Sequence, residues 1–216
     1  DLGERTLAID AKLYDSKIAE MKVSGDMALR MSWGDAPDFA LSVGGFHPAF
    51  RPPAGFPDLK RFTMAMGTSK ARVDLQAYLA LTTNTLQAGA MLQLYAEVAG
   101  FSVSGISGFD ALIEFVPFGL QVDFVAAVAV KRGATVLAGA SVRGTIKGPS
   151  PWKIWGRATV TILIKDIDVP FSVELPGSQP DTHTVEPLWP KVKLELEKPE
   201  NWAADALENA RSRVSV

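Results

Sequence analysis

The sequence predicts a mainly β protein, an antiparallel meander forming a strongly curved sheet, a barrel or a sandwich, with one short helical insert and a C-terminal helix. Apolar residues recur at every second position, starting with Leu7, Ile9, Ala11 and Leu13. Successive side chains of a strand point to opposite faces, so such a segment has one apolar face to cover and one wet face. Turn-forming clusters bound these runs at intervals of about ten to fifteen residues, giving about eleven strands. No alternation of strands with helices is visible, which excludes doubly wound and TIM-type folds.

The first run continues through Ala19, Met21 and Val23 to Met27, Leu29, Met31 and Trp33; Asp15-Ser16-Lys17 and Gly25-Asp26 read as turns or bulges, because the phase survives both. After a turn at Gly34-Asp35-Ala36-Pro37, Phe39, Leu41 and Val43 resume the alternation. Phe46 to Pro57, FHPAFRPPAGFP, is a proline-rich loop whose fixed φ angles and missing donors exclude helix and central strand. Its phenylalanines, Phe46, Phe50 and Phe56, suit either a functional loop or a plug for the open end of a sheet sandwich.

A short strand spans 61–66, and a longer one carries Val73, Leu75, Ala77, Leu79 and Leu81. Thr83-Asn84 turns the chain into Leu86 through Val98, predicting a hairpin, and Phe101 to Val103 is a brief strand. In 108–116, Phe109, Leu112, Ile113 and Val116 fall at helical spacing, with Ser107 as cap and Pro117 as stop. Alternation returns in Leu120 to Val130, Val136 to Val142, Trp152 to Ile164 and Ile167 to Leu175, separated by turns that include Gly148-Pro149-Ser150-Pro151. The domain organisation expected is an antiparallel β domain over 1–176, a linker over 177–190, and over 191–216 a short extended arm (Val192, Leu194, Leu196) followed by an amphipathic helix with Trp202, Ala206, Leu207 and Ala210 on its apolar side.

The 216 residues are 47% hydrophobic and 21% charged, the balance of a folded globular chain, and a net charge of −2 argues against nucleic acid as a partner. The absence of cysteine removes disulfides, thiolate nucleophiles and Cys-based metal sites. No apolar run approaches the roughly 18 residues of a membrane-spanning helix, and no targeting signal is visible. The chain opens on Asp1 rather than Met, which suggests a processed product or a piece of something longer.

Residues with chemical potential are few. His47 sits between Phe46 and Pro48 and His183 in linker-like sequence, without metal-ligand spacing. Ser104-Gly105-Ile106-Ser107-Gly108 lacks the spacing of a nucleophile elbow, and no glycine-rich phosphate loop occurs. Asp110 and Glu114 would share one face of the helical insert, whereas Glu97 and Asp123 lie on wet strand faces. Trp152 and Trp155 fall on opposite faces of their strand, leaving one for a ligand or partner. No metal or cofactor is expected.

The order of motifs adds a resemblance. Gly44-Gly45-Phe46-His47-Pro48 with Phe50, Pro52-Pro53 and Phe56-Pro57, then Thr82-Thr83-Asn84-Thr85-Leu86-Gln87, then Gly108-Phe109-Asp110-Ala111-Leu112, then Gly148-Pro149-Ser150-Pro151-Trp152 resembles the signature series of a family of large proteins, mostly bacterial with some fungal members, that carry a β-rich domain of unknown function. The resemblance covers 38–202 and takes in Leu188-Trp189-Pro190 and Asn201-Trp202. It implies a β-rich module embedded in a larger, mostly bacterial protein, and it implies no activity; the chain is expected to be soluble, with other domains or subunits of a larger assembly as its partners.

The leading expectation is a non-enzymatic structural or interaction module. A second is a carrier that binds a lipid or other apolar ligand in a groove beside small residues (Ala88, Ala90, Ala126, Ala138, Ala140, Ala158), and a third is a hydrolase using Asp110, Glu114 and His47. Ligand or partner contacts are expected at Phe46, His47, Phe50, Arg51, Phe56, Phe109, Asp110, Trp152 and Trp155.

Overall fold

The computed structural model describes residues 2–3, 5–34, 36–163, 165–176, 193–195 and 197–201. The chain divides into two units, Asp1–Pro180 and Asp181–Val216. The first is one antiparallel sheet of β1 (Leu2–Gly3), β2 (Thr6–Ile18), β3 (Met21–Ser32), β4 (Asp38–Val43), β5 (Phe62–Gly67), β6 (Ala71–Thr82), β7 (Thr85–Val98), β8 (Phe101–Glu114), β9 (Gly119–Arg132), β10 (Thr135–Gly148), β11 (Trp152–Ile162) and β12 (Lys165–Leu175). The strands follow chain order, so the sheet is the expected meander. Its outer strands do not pair with each other, and it is an open sheet rather than a barrel.

Strands β4 and β5 share one slot. β3 pairs with β5 through Lys22–Ser24 and with β4 through Met27–Ser32, and β6 closes the other side of both. They are one strand interrupted by the excursion of residues 44–61, which contains the proline-rich loop. Asp26, facing the gap, holds both ends of the excursion. The Gly44 N–H donates to the Asp26 carbonyl (2.8 Å), the Asp26 N–H to the Lys60 carbonyl (3.2 Å), and the Lys60 N–H to Asp26 Oδ2 (3.2 Å). Gly44 leaves the sheet at φ +76°, and a Cβ there would lie 2.5 Å from the Ala77 carbonyl oxygen, so both the conformation and the space require glycine.

Register assigns the faces. One row runs Ile9, Leu29, Leu41, Leu81, Leu86, Ile113 and Leu120, and another Ala126, Val142, Ala158 and Val169, which makes one face of the sheet aliphatic from β2 to β12. The opposite face carries Ser42, Thr82, Thr85, Gln87, Asp110, Asp123 and Thr145. Alternation implies that the apolar face is the covered one. The structure largely reverses this in the middle of the sheet: Ala28, Ala40, Tyr78, Ala80, Ser42, Gln87 and the loop's His47 are buried on the polar side, whereas on the apolar side Val23 is buried at the β3–β5 pairing but Leu79 remains 55% exposed.

Four expectations change. The stretch 108–116 is not a helical insert; Gly108–Glu114 belongs to β8, with Leu112 opposite Gln87 and Gln121 while Ile113 lies opposite Leu86 and Leu120, so the helical spacing reflects apolar residues on both faces of one strand. Residues 101–103 begin this same long strand. The proline-rich loop does not plug a sandwich, because there is no second sheet among the described residues; it lies against the polar face. Asp15-Ser16-Lys17 does fall at a register shift of the β2–β3 pair, between Leu13 and Ser16. In the second unit, residues 193–195 are helical, not extended, and Pro199–Asn201 is a 3-10 turn. The linker over 177–190, His183, Trp189 and the C-terminal helix with Trp202, Ala206, Leu207 and Ala210 lie outside the described residues.

Candidate functional site

The loop is seated by polar contacts. The His47 N–H donates to Gln87 Oε1 (2.9 Å), Gln87 Nε2 donates to the Thr85 hydroxyl (2.8 Å), and the Thr85 and Thr82 hydroxyls share a bond of 2.8 Å. The Ser42 hydroxyl donates to the Gly45 carbonyl (2.6 Å). Arg61 donates to the carbonyls of Gly44 and Phe46 and stacks 3.9 Å from the centre of the Tyr78 ring. Phe46 packs against Phe50 (5.3 Å between centroids) and edge-on against Phe56 (4.9 Å), and the Arg30 guanidinium lies 5.8 Å from the Phe56 ring centre. Four prolines and this aromatic cluster stiffen the segment, so its conformation costs little further entropy when it docks.

Beside the loop, register places Tyr78, Gly89, Asp110, Asp123, Thr145 and Trp155 in one row across β6 to β11. Asp110 and Asp123 oppose each other directly, a like-charge pair that works against sheet stability. Asp123 accepts from the Thr145 hydroxyl (2.5 Å) and from Gln121 Nε2 (2.9 Å). His47 Nδ1 accepts from the Ala49 N–H (3.1 Å), so Nε2 carries the ring proton; it is buried without a hydrogen-bond partner, 3.9 Å from Asp123 Oδ2. The Tyr78 hydroxyl is likewise buried without a partner. Burial first, and then the neighbouring Asp110 carboxylate, push this phenol well above its ordinary value.

The residues singled out in sequence therefore separate. Phe46, His47, Phe50 and Phe56 meet within the loop, Arg51 is exposed, and Asp110 and Trp155 lie on the polar face in the row next to it. Phe109 and Trp152 fall on the apolar face, where Trp152 covers Gly148: a Cβ on Gly148 would lie 2.2 Å from the Trp152 ring. Asp110, Glu114 and His47 do not converge. Glu114 stands at the end of β8 opposite Thr85 and Gly119, while the His47 ring faces Asp123. The shared helical face that motivated a hydrolase is absent. Asp26, Arg61 and Tyr78 organise this region without having been among the expected contact residues, and so does Gln87, which the sequence marked only as the last residue of the Thr82–Gln87 motif.

The apolar face is the larger feature. Away from the turns, Ser107 is the one side chain on this face of β6 to β12 that carries a donor or acceptor. A shallow trough of about 390 Å³ lies among Ala126, Val128, Ala140, Val142, Ala158 and Val160. Small residues create it: Ala126 and Ala158 flank Val142, and Val128 and Val160 flank Ala140.

Compared with known proteins, residues 1–214 match the model of a family described as a family of unknown function, DUF6603. The match takes in the strands that precede Asp38. No curated protein and no solved structure matches the chain.

Proposed function

Because the chain belongs to DUF6603, a family of unknown function, no inherited activity guides its reading, and we propose that it is a non-enzymatic β module that carries lipid, its apolar face accepting acyl chains. One observation supports this above all: an aliphatic face, uncovered among the described residues and almost without hydrogen-bonding groups. Strands of about 40 Å spaced about 4.8 Å apart give the β6–β12 part of this face about 1,000 Å² or more. A protein–protein interface of that area would carry on the order of five to ten hydrogen bonds. Acyl chains need none, and burying aliphatic surface against them is favourable by about 25 cal/mol per Å².

A second reading is a structural module whose face is covered by another sheet. It is favoured by the residues themselves, since alternating Leu, Val, Ile and Phe are what one half of a β-sandwich presents. Native mass spectrometry after gentle purification, with titration of a fluorescent fatty acid, separates the two. The carrier should arrive with bound lipid and bind the probe, and Ala140→Trp, which fills the trough, should weaken probe binding at least tenfold. A chain with no co-purified lipid and no affinity for the probe would leave the covered module standing.

A further inference from the structure

One end of the sheet differs from the other in charge. The turns after β5, β7 and β9 meet there: Val98 lies opposite Phe101, Phe101 opposite Arg132, Ser102 opposite Lys131, and the Glu97 N–H donates to the Lys70 carbonyl (2.8 Å). Val98 is 77% and Phe101 45% exposed. Lys70, Lys131 and Arg132 surround them without an ion pair among the described residues, and Arg132 lies 5.4 Å from the Phe101 ring centre. The acidic residue beside them, Glu97, accepts from the Tyr95 hydroxyl (2.6 Å). The opposite end also exposes Phe115 and Phe118, but there Glu114 adjoins the aromatic residues, and Lys153, one of the nearby bases, is paired with Glu174.

We infer that the Val98–Phe101–Arg132 end docks on the surface of an anionic phospholipid bilayer, Val98 and Phe101 entering the interface while Lys70, Lys131 and Arg132 meet lipid phosphates. Exposed apolar tips ringed by bases are complementary to such a surface, where apolar burial and attraction to anionic headgroups add. The far end, with Glu114 beside its aromatic residues and Lys153 paired with Glu174, offers less free positive charge to such a surface. Val98 and Phe101 belong to the apolar face, so a chain docked this way has that face opening at the membrane, where acyl chains enter. The inference rests on the lipid-carrying reading for its purpose, yet it is tested separately.

The test is co-sedimentation of the full chain with vesicles of phosphatidylcholine alone, or with about one part in three phosphatidylserine. Binding should be at least about tenfold stronger to the mixed vesicles and should fall with added salt. Both K131E/R132E and V98D/F101D should lose it while keeping the β circular dichroism of the parent. Equal binding to both vesicles, no binding to either, or binding indifferent to the two variants would overturn the inference. So would affinity for polyglutamate matching that for vesicles, which would assign the patch to an acidic protein. A chain that binds the fatty-acid probe but ignores vesicles refutes the docking end alone, whereas one that binds vesicles but no probe refutes the carrier alone.

Discussion

Gly89 shows how one missing side chain shapes the row beside the loop. A Cβ there would lie 2.2 Å from Tyr78 Cε1 and 2.7 Å from Asp110 Oδ1, so the Tyr78 ring lies across β7 only because nothing projects from Gly89. Gly89→Ala should therefore cost about 1–3 kcal/mol through overpacking, read as a lower midpoint in urea unfolding with an unchanged slope. Tyr78 itself makes a prediction about pH. Its phenol is held above the ordinary 10.0 by burial and by Asp110, so the folded state favours the neutral form. That contribution is fully present below pH 10 and is lost as pH rises beyond it, where the unfolded chain ionises and the folded one resists. Tyr78→Phe should behave within about 1 kcal/mol of the parent at neutral pH, because the hydroxyl has no partner to lose. As pH rises through about 10 and above, the variant's unfolding free energy should decline less steeply than the parent's; parallel profiles would show that the phenol does not titrate with unfolding.

At the scale of elements, the excursion of residues 44–61 depends on Asp26, which satisfies backbone groups at both of its ends. Asp26→Ala removes the buried carboxylate that accepts from the part-buried Lys60 N–H and should cost about 1–3 kcal/mol. Hydrogen exchange should show faster amides in 44–61 and unchanged protection in β8 to β11; uniform loss across the sheet would mean that the loop and the sheet open together. Most strands were legible because a period of two survives tertiary context. Strand β8 was not: Leu112 puts an apolar side chain on the polar face, next to Ile113 on the apolar one, and two such neighbours imitate a helical stripe. Nor did the period show that β4 and β5 are halves of one strand. That follows from pairing with β3 and β6, a long-range fact that alternation within either segment does not encode. The loop was legible as irregular from its prolines, but its seat was not, since Gln87 and Tyr78 are distant in sequence from His47.

For the sheet as a whole, alternation distinguishes two faces but does not say which is covered, and here the intuitive assignment fails in the middle. Cover on the polar side comes from a loop of Pro and Phe, held over small and polar residues, while the Leu, Val and Ile face stays open from β6 to β12. This makes the energetics of that face testable. In a finished core, replacing two valines by aspartate would bury unpaired charge and remove the fold. On an open face the same change is a surface substitution, within about 0.5 kcal/mol each. Val128 is 49% and Val160 44% exposed on either side of Ala140 at the trough, so V128D/V160D should keep the parent's thermal midpoint to within a few degrees and raise its solubility. It should also abolish binding of the fatty-acid probe, because an acyl chain lying between them would have to desolvate two carboxylates. Collapse of the fold in this variant would instead identify the face as the buried half of a sandwich, covered by a protein layer whose loss the fold does not survive.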